Sequence, residues 1–290
     1  MKRTKRQVLT LSAVALVIAG VGSANFLGMS FDIPAQAEVI TLDQHALRCM
    51  QHDEVAGAQA VQPIDRDGRL QVAVWNIYKG NKPGWREELN RYAANADLVL
   101  LQEASLTEDF RSYLEQTSYK VSMANAFSFF ETTAGVLNLS RNAALSTCAY
   151  LTTEPWLKLP KSALYAKFPL SNGETLVVVN LHGINFTIGT EQYQAQLDKL
   201  AQALANHEGP MIVAGDFNTW RKGRQEVVEA FAARLSLRQA AFAQDHRIRV
   251  LGRPLDHLYY RGLHLVSAHS TQSEASDHNP LIAELALIKP

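Results

Sequence analysis

Six short pieces of this chain end an apolar run on, or lead from one into, groups that handle phosphate, metal or protons. They are Trp75-Asn76, Gln102-Glu103, Asn180-Leu181-His182, Gly215-Asp216-Phe217-Asn218, Leu255-Asp256 and Ser276-Asp277-His278-Asn279-Pro280. Together they supply carboxylates, amides and imidazoles. Such a set can hold a cation, grip a phosphoryl oxygen and move a water proton, the three needs of phosphate-ester hydrolysis. Strand ends gather residues that are distant in sequence around one crevice. So many polar groups beside apolar runs must either pair with each other or be put to use.

Taken singly, each piece also has an ordinary structural reading. Asn76 can bond a turn. Glu103 can cap a following helix. His182 can be a satisfied core histidine. Asp216 and Asn218 suit turns, Asp256 can pair with Arg253, and Asp277-His278 can be a surface loop. The signal lies in the set and its order. The other seven histidines receive no role, and His257, directly after Asp256 in a strand, should point to the opposite face.

The elements that must position these groups follow from hydrophobic spacing. Residues 71–77, 97–102, 134–140, 145–151, 163–168, 175–181, 210–215, 255–260, 263–269 and 281–288 read as short strands. Residues 85–95, 106–116, 190–207 and 224–235 read as helices, with Tyr193, Leu197, Leu200 and Leu204 on one face of the third. Helices mixed with many short strands, several joined as hairpins, indicate an α/β sandwich of two packed sheets flanked by helices.

The chain has 290 residues and is 47% hydrophobic, enough for one large core. No repeat or Pro/Gly/Ser tract divides it. The start is different in kind. Lys2, Arg3, Lys5 and Arg6 precede an uncharged apolar run from Val8 to Gly22, with small-residue sites at Gly22-Ser23-Ala24 and Ala35-Gln36-Ala37. A basic start, an apolar run and an A-x-A site read as an export signal over residues 1–37, either cleaved or kept as a single-span inner-membrane anchor. The expected location is therefore periplasmic or secreted. Residues 1–37 hold four of the 28 Lys and Arg and one of the 28 Asp and Glu; 24 basic and 27 acidic residues remain, a net of about −3. That balance gives no support to tight nucleic-acid binding through phosphate neutralisation. The two cysteines, Cys49 and Cys148, can form a disulfide in an oxidising compartment or remain two buried thiols.

The six pieces, in this order, resemble the endonuclease/exonuclease/phosphatase superfamily, which includes deoxyribonucleases, abasic-site endonucleases, bacterial sphingomyelinases and inositol-polyphosphate phosphatases. The resemblance spans roughly residues 70–289 and is closest to the exported bacterial branch. It implies a four-layered α/β sandwich with two packed mixed sheets, a catalytic domain over residues 70–290 and an N-terminal extension over 38–69. It also implies a metal-dependent hydrolase of phosphodiester or phosphomonoester bonds. Glu103, Asn76 and Asp277 would bind or support a metal, Mg²⁺ by its taste for oxygen donors, with Mn²⁺ as substitute. Asp216 would orient or deprotonate the attacking water. His278 would act as base or phosphate ligand, with Asp256 holding its ring. Asn218 would grip a phosphate oxygen, and His182 would contact the phosphate or protonate the leaving oxygen. Lys79, Asn81 and Arg141 are secondary candidates for meeting substrate charge. The implied partner is a phosphodiester substrate, nucleic acid or phospholipid, met by a monomer without a nucleotide cofactor. Gly183 after His182 departs from the nuclease branch, and long DNA-gripping insertions are not evident. A sphingomyelin or phospholipid headgroup hydrolase is thus an alternative to a nuclease. A non-catalytic binding module on the same fold is the alternative of a different class.

Overall fold

The computed structural model describes residues 31–42, 45–46, 49–51 and 61–288. The leader up to residue 30 lies outside the described residues. Short strands come first: β1 (Phe31–Asp32), β2 (Glu38–Ile40), β3 (His45–Ala46) and β4 (Cys49–Gln51). The central run is β5 (Arg69–Asn76), α1 (Trp85–Ala93), β6 (Leu98–Ser105), α2 (Glu108–Glu115), β7 (Lys120–Asn125), β8 (Phe127–Phe129), β9 (Thr132–Ser140), β10 (Ser146–Thr153) and β11 (Pro160–Pro169). Then follow β12 (Thr175–His182), α3 (Glu191–Leu204), β13 (Met211–Asp216), α4 (Lys222–Arg234), β14 (Arg238–Gln239), β15 (Arg249–Val250) and β16 (Arg253–Pro254). The last strands are β17 (Asp256–Arg261), β18 (Leu263–Ser270) and β19 (Leu281–Leu287).

Two mixed sheets form, one of ten strands in the order β18-β19-β5-β6-β9-β7-β2-β3 with β8 and β1 beside β9, and one of seven in the order β14-β17-β13-β12-β11-β10-β4. The alternation of side chains along a strand sorts the core into layers. Val72, Val74, Leu98 and Leu100 of the first sheet meet Phe168, Val178, Ile212 and Leu258 of the second. On the outer side of the first sheet, Trp75 and Leu101 pack against Trp85, Leu89, Phe110 and Leu114 of α1 and α2. On the outer side of the second, Val177, Val179 and Val213 pack against Tyr193, Leu197 and Leu200 of α3 and Val228 of α4. This is the expected four-layered sandwich.

The strands absent from the sequence-based expectation are β1 to β4, β7, β8 and β14 to β16. Lys120–Asn125 interleaves Lys, Ser and Asn with Val, Met and Ala, which weakens any periodic signal. Val39 and Ile40 of β2 are nonetheless fully built into the core, so the N-terminal extension joins the first sheet. Cys49 and Cys148 face each other across β4 and β10 and are joined by a disulfide. It closes a sequence separation of 99, so chain entropy lost from the unfolded state stabilises the fold by roughly 4–5 kcal/mol in the loop-closure picture.

Each sheet contains one parallel pair, β5–β6 and β12–β13, crossed over by α1 and α3. Open α/β sheets place ligands at the carboxyl ends of such strands. Antiparallel register brings the β8–β9 hairpin, the β10–β11 turn, the start of β17 and the β18–β19 loop to that same end. The opposite end carries the polar turns at 65–68, 94–97, 141–145, 170–174 and 205–210.

Candidate active site

The carboxyl end of β13 is the centre. Register places His182, Asp216 and Asp256 side by side on β12, β13 and β17. Beneath them lies Gly215, whose φ is +139 and whose Cβ, if added, would lie 2.0 Å from the Leu181 carbonyl oxygen. Any side chain there would push the two strands apart.

Asp216 is almost fully buried. Its Oδ1 accepts from the Asn218 backbone N–H at 2.9 Å. Its Oδ2 accepts from Asn76 Nδ2 of the other sheet at 3.1 Å and lies 3.5 Å from His182 Nε2 and 3.8 Å from His278 Nε2. Burial raises its pKa to about 6, against the lowering influence of His278. His278 Nδ1 is 2.8 Å from Asp256 Oδ2. Burial alone would disfavour its cation, but Asp256 and Asp216 outweigh that and raise its pKa to about 10. His278 is therefore a cation at neutral pH, and Asp256 pairs with it rather than with Arg253, which bonds Gln225.

The loop carrying His278 is bolted to the end of β5. Ser276 Oγ donates to the Asn76 carbonyl at 2.6 Å, and Trp75 Nε1 donates to the His278 carbonyl at 3.0 Å. Lys82 Nζ donates to the Ser276 carbonyl at 2.7 Å. Asp277 stays on the solvent side of this loop, 3.4 Å from Ser276 Oγ. Asn76 Oδ1 accepts from the Tyr78 N–H at 3.1 Å.

Glu103 follows Gln102, the register partner of Asn76, at an irregularity where the β6–β9 pairing shifts. Its φ is +51, a left-handed conformation unusual for a residue with a side chain. Lys79 Nζ donates to Oε2, and Lys161 Nζ and His182 Nε2 each lie 3.9 Å from Oε1. Burial pushes the Glu103 pKa up, yet Lys161, Lys79 and His182 together hold it well below the usual carboxylate range.

Asn218 also has positive φ, +53. Its side chain donates to the Gly183 carbonyl at 3.0 Å, so it is held beside the centre. His182 is reached by Lys161, whose Nζ donates to Nε2 at 2.9 Å. Burial first and Lys161 second push the His182 pKa well below its ordinary value. A lysine ammonium can only donate, so His182 Nε2 is the acceptor in this contact.

Two groups escaped sequence reasoning. Lys161 opens an apolar strand and carries no motif; only its place next to His182 reveals it. Arg224 is fully buried; it donates to the Asn218 carbonyl at 2.8 Å and Thr187 Oγ1 at 3.0 Å, and its guanidinium lies 3.9 Å from the Tyr193 ring centre. It holds the Asn218 turn against the loop after His182. Gln102 and Asn180, seen in the motifs, bond each other at 2.7 Å between the sheets, and Asn180 also reaches Asn138 Oδ1 at 2.9 Å. They align the two sheets and face no cleft. Of the secondary candidates, Lys79 sits on Glu103. Arg141 does not belong to the site: it pairs with Asp97 at the opposite end of β6 at 3.0 Å. His257 points away as expected, onto Thr219 Oγ1 at 2.6 Å and Gln239 at 2.7 Å.

A two-sheet sandwich with a carboxylate, amide and imidazole centre where both sheets end defines a fold class, and comparison names it. Residues 73–278 match the Endonuclease/Exonuclease/phosphatase family. The chain belongs to that family. A UPF0294 protein of Vibrio campbellii is 43% identical over 286 residues, covering 97% of this chain and 98% of the relative. Among solved structures, the human Nocturnin catalytic domain with bound sulfate anion aligns with a TM-score of 0.59 at 20% identity, covering 79% of this chain and 98% of that domain. A mannosyl-6-phosphatase of Bacteroides thetaiotaomicron aligns with a TM-score of 0.56 at 16% identity, covering 75% of this chain and all of that one (100%). At these identities the structures share the fold.

Proposed function

We propose that the chain hydrolyses phosphate esters, phosphodiesters in first place, by direct attack of water. One observation carries this: Asp216 Oδ2 collects Asn76, His182 and His278 from both sheets within 3.1–3.8 Å, at a carboxylate whose pKa of about 6 suits a base near neutral pH. Asp216 takes the water proton. The His278 cation, held by Asp256, and the Lys161 ammonium stabilise charge growing on the phosphoryl oxygens. Asn218 orients one of those oxygens. His182 contacts the phosphate from this edge of the cleft.

The oxygen donors fit a divalent ion. Glu103 is ionised among cations, Asn76 ends the adjacent strand, and the Ser276 bond pins the Asp277 loop to Asn76. These three residues would hold Mg²⁺, with Mn²⁺ as substitute, and the ion supplies Lewis-acid stabilisation of the phosphoryl oxygens. Asp216, Asp256 and His278 also bring ligand atoms within 4.8 Å of one another, but the His278–Asp256 hydrogen bond already engages two of them.

The test is a substrate panel on the purified full-length chain: bis(p-nitrophenyl) phosphate, a phosphomonoester, plasmid DNA, RNA and phospholipid vesicles, each with Mg²⁺ and with EDTA. His278→Gln, which can still donate to Asp256, is the control. Turnover that needs Mg²⁺ and His278 is expected. Ligand binding without turnover, unchanged in the variant, would replace the enzyme with a binding module.

A further inference from the structure

Exposed apolar side chains are unevenly placed on this molecule. Eleven large ones are exposed among the described residues, and eight belong to loops at the active-site end; the others are Ile33, Val266 and Ile288. Four different loops contribute the most prominent members. Phe130, 52% exposed, tops the β8–β9 hairpin with Phe129 stacked edge-on beside it. Trp156, 62% exposed, sits on the β10–β11 turn, which leads into the strand of Lys161. Ile188, 75% exposed, is on the loop that leaves His182. Leu251 tips the ribbon that leads into Asp256. The turns next to the strands that carry Glu103, Lys161, His182 and Asp256 thus also raise an apolar rim at this end.

A rim of this kind on a folded domain marks an interaction surface. Its chemistry favours a bilayer over nucleic acid. The residues are Phe, Trp, Ile and Leu, with Trp the side chain that settles at a lipid–water boundary, and the chain outside the leader carries net negative charge. The chain also enters the fold at the rim. Phe31 and Asp32, in the last part of the 1–37 leader and beyond its apolar run, pair with β8 at Phe129 and Ser128. A leader kept in a membrane would emerge beside Phe130.

We propose that the active-site mouth docks on a lipid bilayer through Phe130, Trp156 and Ile188, and that its substrate is a phosphate ester of a membrane lipid. This rests on the hydrolase reading and narrows its substrate. The reaction consumes one water: its oxygen joins phosphorus and the bond from phosphorus to one alcohol oxygen breaks. One water hydrogen ends on the freed alcohol and the other on the new phosphate monoester or the solvent.

The test uses the full-length chain in vesicles whose phosphatidylcholine and phosphatidylglycerol are either ordinary or brominated in the acyl chain. The leader contains no tryptophan, Trp75 and Trp85 are buried, and the half-buried Trp220 is replaced by Phe throughout this arm, so quenching reports Trp156 and not the leader. Brominated lipid should quench the Trp220→Phe protein, and adding Trp156→Phe should abolish that quenching. A second arm measures hydrolysis by the triple variant Phe130→Ser, Trp156→Ser, Ile188→Ser. Lipid hydrolysis in vesicles should fall at least ten-fold while bis(p-nitrophenyl) phosphate turnover is unchanged. Absent quenching, or quenching that survives Trp156→Phe, overturns the docking. Cleavage of DNA without cleavage of any lipid overturns the substrate and leaves the hydrolase standing. Inertness on the soluble diester sinks the hydrolase reading itself, and quenching then decides docking alone.

Discussion

Asp97 and Asp216 are both about 1% exposed, and they sit at opposite ends of the same sandwich. Asp97 is saturated. Arg66 Nε at 2.8 Å, Arg141 Nε at 3.0 Å and the Gln71 N–H at 2.8 Å occupy its oxygens. Asp65 nearby is similar, accepting from Gly68, Ser171 N–H and Ser171 Oγ at 2.6–3.0 Å. Asp216 receives two ordinary donors and faces two imidazoles at 3.5 and 3.8 Å. The backbone shows the same contrast. Among the described residues, ten non-glycine residues have positive φ, and eight of them lie at the site end, among them Tyr78, Lys79, Glu103 and Asn218; Asp67 and Ser236 are the other two. Strained backbone and partly answered charge persist only where surrounding structure enforces them. One end of this fold spends its polar groups on itself. The other holds them ready for a ligand.

Exchanging the roles of the two ends is the sharpest way to break that contrast. His278→Gln should lower turnover of bis(p-nitrophenyl) phosphate by on the order of 10²–10⁴-fold with little change in thermal midpoint, because Asp256 keeps a donor. Asp97→Ala should do the reverse. It should lower unfolding free energy by about 3 kcal/mol, the low end for a broken buried ion pair, since both arginines are over a third exposed and can rehydrate. Activity per folded molecule should be unchanged. Denaturant titration and initial rates on both variants decide; a large activity loss in Asp97→Ala would erase the distinction between the ends. Between the ends, Asn180→Leu removes the amide that ties Gln102 to Asn138. It should cost about 2–3 kcal/mol through stranded buried partners, read in the same titration.

The two ends were not equally legible in the sequence. Polar residues ending apolar runs exposed Asn76, Glu103, His182, Asp216, Asp256 and His278, because strand ends in both sheets converge through their parallel pairs. The long strands and all four helices were readable from period alone. Lys161 was not, since a lysine opening a strand looks like any solvated edge, and its meaning comes from register with β12. Arg224 reads as an exposed helical arginine until the packing of α4 buries it against Asn218. Arg141 was misplaced because a sequence position after a core strand does not say which end of that strand it occupies. The strands β1 to β4 lie on the sheet margins, where few neighbours demand a strong hydrophobic pattern.

His257 gives the finest test, because it lies one residue from Asp256 yet on the structural side of the strand. Burial, then Arg247, depresses its pKa to about 3, while the unfolded chain titrates near 6.5. Below the unfolded pKa the unfolded state binds a proton that the folded state refuses, so stability must fall as pH drops from about 6.5 toward 3. At about 1.4 kcal/mol per pH unit, this one residue should remove on the order of 1–2 kcal/mol by pH 5. His257→Gln deletes the titration while keeping an amide for Thr219 and Gln239, so its unfolding free energy should vary less between pH 7 and 5 than that of the wild type. Parallel curves for the two proteins would mean that His257 is protonated inside the fold, and that buried polar groups on this side of β17 are as open to charge as those facing the cleft.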